Sequence, residues 1–154
     1  MKAYQNTNTP AARSQEDIRK ILIKYGADGM QFSEDRKNRI IIVRFMYTIN
    51  AVEYFISFKV PIPVSEFKTP TGRARKASQV IQLQAQYERG IWRAVFWAIK
   101  SRMEAVEFGI ETFQEAFLSH FEIQGTDKSI GDVLIPRLAS GSGLKALVDM
   151  RGKA

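Results

Sequence analysis

Six cations, Arg73, Arg75, Lys76, Arg89, Arg93 and Lys100, fall in one short stretch of the chain. Three crowd into the segment after Thr69-Pro70-Thr71-Gly72, and the other three recur at helical spacing. Trp97 lies among them, and Tyr47 and Tyr54 stand upstream in a run rich in aromatic and β-branched residues. Cations neutralise phosphates, and aromatic rings beside them stack on unpaired bases; together they are the footprint of single-stranded nucleic-acid binding. The expected partner is therefore a nucleic acid, with the six cations on phosphates and Trp97 or Tyr54 on bases. Trp97 has a second reading, as a cover for a neighbouring helix or a subunit contact, because tryptophan is enriched at interfaces.

Other chemistry has few carriers. The chain has no Cys, which excludes thiol nucleophiles, disulfides and thiolate metal sites. Its one histidine, His120, excludes a His-rich metal site. His120 sits beside Phe117 and Phe121, so it reads as a packed or capping residue; the sharper alternative is a general base paired with Glu115 or Glu122. Glu104, Glu107, Glu111 and Glu115 recur every three or four residues, and on one unbroken helix the first three could hold Mg²⁺. Gly109 and the Thr112 cap interrupt that helix, so a solvated acidic face is expected. No phosphate-binding glycine loop and no dinucleotide fingerprint is present. No enzyme activity, metal or cofactor is expected.

The charge is unevenly placed. The 154 residues carry a formal +7. Residues 66–102 hold 8 basic and 2 acidic side chains, whereas residues 103–132 hold 1 and 7. Blocks of this kind produce a directional field. Three readings are open: a basic anion-binding surface, head-to-tail self-association, or two solvated faces. The densest apolar run, residues 40–43, ends at Arg44 and is far short of the roughly 20 residues of a membrane span.

These residues need elements to position them. Ser14 with Asp17 marks a helix start, Ile18, Ile21, Leu22 and Tyr25 form one stripe, and Gly26 ends it. Residues 30–32 read as a short strand and 34–38 as a polar turn. Residues 39–47 and 52–60 read as an antiparallel hairpin, the second with period two. Phe55 falls on the polar face of that strand. Pro61, Pro63 and Pro70 open a loop. A long helix over 77–108 follows, with Gly90 its one interior glycine. Ile81, Ala85, Trp92, Val95, Phe96, Ile99, Met103 and Val106 form one apolar side; Leu83, Tyr87, Ile91, Ala94 and Ala98 form another. A helix apolar on two sides meets more than one neighbour. Thr112 with Glu115 and Ser129 with Asp132 cap two short helices, the second cut at Pro136. The fold class is α+β: a small antiparallel sheet of two or three strands, packed by an N-terminal helix and one long helix, with a helical C-terminal part. Residues 14–138 form the domain, between a flexible tail at 1–13 and a flexible basic tail at 139–154.

The stretch KSRMEAVEFGIETFQEAFLSH, residues 100–120, resembles a motif of small, largely uncharacterised bacteriophage and prophage proteins, K-x-K-L-E-A-V-E-x-G-I-x-T-F-x-x-E-F-L-x-H. The first helix with Tyr25-Gly26-Ala27, and Thr69-Pro70-Thr71-Gly72-Arg73, resemble the same family, while Met103 and Ala116 depart from it. The resemblance implies a phage or mobile-element origin and a place in the host cytoplasm, and it supplies no catalytic residue. The order helix, three strands, basic loop, helix is also similar to that of double-stranded-RNA-binding domains. The leading expectation is a phage protein that binds single-stranded DNA in replication or recombination, with DNA preferred over RNA. The alternative is a homo-oligomeric interaction protein, assembled through the long helix, that binds or inhibits a host protein. No membrane partner is expected.

Overall fold

The computed structural model describes residues 3–64 and 68–141. Helix α1, Ala11–Lys24, leads into a three-stranded antiparallel sheet in the order β1-β2-β3, formed by Gly29–Asp35, Ile40–Ile49 and Val52–Pro61. Helix α2, Ala77–Glu107, follows, then α3, Phe113–Phe117, a 3-10 turn at Leu118–His120, and α4, Ile130–Ala139. This is the expected α+β architecture, with all three strands formed.

The sheet follows from alternation. Register pairs Met30 with Phe45 and Phe45 with Ile56, and Phe32 with Val43 and Val43 with Phe58. These residues share the inner face, where Ile41, Val43, Phe45 and Ile56 are at most 1% exposed. Burying each such side chain is worth about 1.5–3 kcal/mol relative to leaving it in water. Gln31, Ser33, Arg44, Met46, Phe55 and Lys59 occupy the outer face, so Phe55 does interrupt the polar side of β3. The turn joining β2 to β3 has two residues, Asn50 and Ala51, both at positive φ, as a tight hairpin with the right twist requires.

β1 is longer than the expected residues 30–32. Its outward Gln31 and Ser33 have no hydrophobic signature, but the ladder to β2 holds them extended. The turn starts later, where Asp35 accepts hydrogen bonds from the Asn38 backbone N–H at 2.9 Å and from its side-chain amide at 2.7 Å. Those bonds favour the carboxylate and hold the Asp35 pKa below its ordinary value.

α1 also starts earlier than Ser14. Pro10 is its N-cap, at φ −59°, and Ala11 and Ala12 are strong helix formers, so the helix extends back to the proline. Ser14 is buried one turn inside. Ile18 and Leu22 are fully buried, and Gly26 turns the chain at φ +84°.

α2 spans about 45 Å, and its buried residues, Trp92, Val95, Phe96, Ile99 and Met103, all lie in its C-terminal half. Ile81, expected on the apolar side, is 69% exposed, because the N-terminal half projects past the layer that buries the other half. α1 packs along α2 in the same direction: Asp17 meets Arg93 and Tyr25 meets Glu107.

Behind α2, the Thr112–Glu115 capping box starts α3 as the spacing predicts. Phe113 and Phe117 drive into the sheet, with Phe117 5.7 Å from Phe45, ring centre to ring centre. The chain then runs along the free edge of β3, where the Glu122 N–H donates to the Phe55 carbonyl at 2.8 Å. The Ser129–Asp132 box opens α4, which continues through Pro136 rather than ending before it. The proline forgoes one bond, to the carbonyl of the exposed Asp132, so a short surface helix tolerates it. The basic tail beyond residue 141 lies outside the described residues.

In α4 a glycine is needed for space. A Cβ at Gly131 would lie 2.7 Å from the Ser119 carbonyl oxygen, whereas one at Gly29 meets nothing within 4 Å. Gly131→Ala is expected to lower stability by about 1–3 kcal/mol, and Gly29→Ala by no more than about 0.5 kcal/mol. Urea denaturation of the two variants checks this, and equal midpoints would contradict the close approach of α4 to residue 119.

Candidate nucleic-acid interface

The basic segment folds into a defined turn. Thr69 N–H donates to the Arg73 carbonyl at 2.8 Å, Arg73 N–H returns to Thr69 Oγ1 at 3.1 Å, and Gly72 sits at φ +81°. Arg75 Nε donates to the Lys68 carbonyl at 3.3 Å, closing the turn from the far side. Arg73 and Lys76 are exposed. Gln79 Oε1 accepts from the Lys76 N–H at 3.0 Å and starts α2 directly after the turn. Three cations are thus presented at the projecting end of a rigid rod.

The rest of the candidate set lies along that rod, each member with a neighbour. Arg89 donates to Gln86, whose amide donates in turn to the carbonyls of Gln5 and Thr7 at 2.8 and 2.9 Å. Arg93 is bound to Asp17 at 2.9 Å, both side chains less than a fifth exposed, and its guanidinium lies 4.1 Å from the centre of the Phe96 ring. Asp17 also takes Arg13, so Arg93 ties α1 to α2. Lys100 pairs with Glu104 one turn on, its ammonium 5.1 Å from the centre of the Trp97 ring. Surface pairs of that kind are worth little and exchange readily. Trp97 is 38% exposed.

Tyr54 lies elsewhere. It faces inward opposite Tyr47, against Phe121 at 5.1 Å and Phe113 at 6.4 Å, in the aromatic cluster held by α3. The structure therefore brings together Arg89, Arg93, Trp97 and Lys100 on α2, sets Arg73, Arg75 and Lys76 at its head, and leaves Tyr54 half-buried against the core, away from them.

Two features escaped the sequence reading. Residues 4–9 cross α2 as a strap, Tyr4 stacking near Trp97 with planes 9° apart. The one signal for it was Gly90: a Cβ there would lie 3.1 Å from the Tyr4 carbonyl, so the glycine admits the strap. The other is an exposed apolar turn, Phe108 at 80% and Ile110 at 75%, between Glu107 and Glu111.

The charges on α2 oppose its own dipole. Its first turn holds no acid and follows Arg75 and Lys76; its last turn holds no base and carries Glu104 and Glu107. Helices prefer the reverse arrangement by about 0.3–1 kcal/mol per charge. A groove of about 590 Å³ lies beside the same half of α2, lined by Arg39, Ile62, Val64, Val80, Ile81 and Glu88 among others, but none of the candidate cations opens onto it.

The alternative chemistry finds its partners engaged. His120 stacks on Phe58 at 3.9 Å, Glu122 pairs with Arg44, and Glu115 caps α3. No group of acidic residues and histidine among the described residues is arranged to hold a metal ion. No described helix is long and apolar enough to cross a membrane. Comparison with known proteins gives no match to any family model, curated protein or solved structure.

Two outcomes test these assignments. Arg93→Ala leaves Asp17 with Arg13 alone, removes the tie between α1 and α2, and should lower stability by about 1–3 kcal/mol in urea denaturation, whereas Arg73→Ala should change it by less than about 0.5 kcal/mol. Burial, and then Arg102, hold the His120 pKa below its ordinary value. The unfolded chain therefore binds the proton more readily, and stability is full above about pH 6.5 and falls as pH drops. His120→Phe should flatten the thermal-stability profile between about pH 7 and 5; an unchanged slope would place the titration elsewhere.

Proposed function

We propose that this chain is a non-enzymatic nucleic-acid-binding protein of bacteriophage type that engages single-stranded DNA in replication or recombination. The observation that carries this reading is the exposed Trp97 on the helix that directly follows the turn holding Arg73, Arg75 and Lys76. The cations supply sequence-independent attraction for phosphates, and the ring supplies a face for a base. Because α2 is one unbroken helix, the loop and Trp97 keep a fixed separation. A strand lying along it meets phosphate contacts first at the loop and again at Arg89 and Lys100. Arg93 serves chiefly to hold the surface in shape. The phage setting follows from the resemblance of residues 100–120 to phage and prophage proteins.

A second reading has its own observation. Phe108 and Ile110 form an apolar tip flanked by Glu107 and Glu111, as a docking site for a host protein or a second copy would be.

Binding of labelled oligothymidylate across salt concentration separates the two. The nucleic-acid reading expects affinity to fall steeply with salt. Reversing Arg73, Arg75 and Lys76 to Glu should weaken binding at least about tenfold and flatten the log–log salt slope by about 2. Reversing Lys145, Arg151 and Lys153, outside the described residues, should do less. No binding at about 50 mM salt sinks this reading. A mass in light scattering above the monomer that falls with Phe108→Asp would then favour the second.

A further inference from the structure

We infer that Tyr4 and Trp97 together form a two-ring seat for one unpaired nucleobase, so that the N-terminal strap is part of the binding surface. The inference rests on the nucleic-acid reading above and names the place where a base sits. The two rings are nearly parallel, 9° apart, with centres separated by 6.5 Å. Rings in direct face contact lie about 3.5 Å apart. At 6.5 Å the pair is therefore not in full face-to-face contact. Each is 38% exposed, which agrees.

The surroundings leave one side of the Trp97 ring clear. Ala94 and Ser101, three residues before Trp97 and four after it, are small and exposed, so on that side α2 raises no bulky side chain, whereas Arg93 and Lys100 reach over the ring from the other. The ring is also held in place: Phe96 meets it edge-on at 5.1 Å, and the Arg93 guanidinium lies 5.6 Å from its centre. Lys100, 5.1 Å from the same centre, can release Glu104 and take the phosphate attached to a seated base.

Tyr4 is positioned with comparable care. Its carbonyl rests against Gly90 and accepts from the Thr7 N–H at 3.1 Å, and Gln86 anchors the strap at Gln5 and Thr7. Its backbone sits at φ +63°, a region a non-glycine residue rarely occupies. A strap whose only task was to cover α2 would not need to present a ring to solvent from a strained backbone.

The test compares oligothymidylate with an abasic oligonucleotide of equal length. The native protein should bind the base-bearing strand about tenfold more tightly, and binding should quench tryptophan fluorescence. Tyr4→Ala should lose about tenfold for oligothymidylate, the scale of one stacked base, with its salt slope and its abasic binding unchanged. Tyr4→Phe should stay within about twofold of native, and Trp97→Phe should abolish the quenching. Circular dichroism and thermal melting of Tyr4→Ala should match the native protein. Oligothymidylate and abasic strands bound equally, or Tyr4→Ala indistinguishable from native, would overturn the seat while leaving a phosphate-binding surface. No binding of either strand would overturn the functional reading itself.

Discussion

A three-stranded sheet has two faces, and the helices here can dry only one of them. Everything else follows from how the inner face of β2 is covered. Its central residues Val43 and Phe45 are shielded by α1 and the C-terminal half of α2 on one flank, and by Phe113 and Phe117 on the other. α3 is only five residues long and would not persist alone; its two aromatic rings hold it there. The inner face of the sheet uses only the C-terminal half of α2; the other half meets the N-terminal strap at Gln86 and Gly90 and carries the basic turn outward. The candidate surface exists because the helix is longer than the core requires.

Much of this was written in local signals. The β2–β3 hairpin was legible from alternation, and both Thr112 and Ser129 cap where their spacing says they should. The misplacements have physical causes. Ser14 is a good cap in isolation, but Pro10, Ala11 and Ala12 start the helix first. β1 is half polar because its outer face is open, so alternation alone showed three of its seven residues. Ile81 fits a helical stripe perfectly well, yet a stripe does not say where its partner layer ends.

The site was less legible, for a related reason. Spacing along α2 placed Arg89, Arg93, Trp97 and Lys100 on one side, and so they are. It could not tell a cation engaged in structure from one available to a ligand. Arg93 was indistinguishable from Arg73 until Asp17 was placed beside it by the packing of α1. Tyr54 faces the core because of strand register, a property of pairing rather than composition. Tyr4 lies far from Trp97 in the chain, and only the anomaly of Gly90 in a long helix hinted that something crosses there.

The reversed charges of α2 have a consequence for how the molecule responds to its medium. Most proteins that bind polyanions lose affinity as electrolyte is added, and this surface should do the same. The fold, however, has cations gathered at the positive end of its longest helix and anions at the negative end, so dissolved ions relieve a self-repulsion already built in. Electrolyte therefore acts on the two properties with opposite sign. On the proposed function, dilute conditions favour binding while leaving that repulsion unscreened, and concentrated ones do the reverse. An occupied surface would supply at the head of α2 the counter-charge that the sequence withholds, which makes occupancy and the integrity of that helix a single equilibrium.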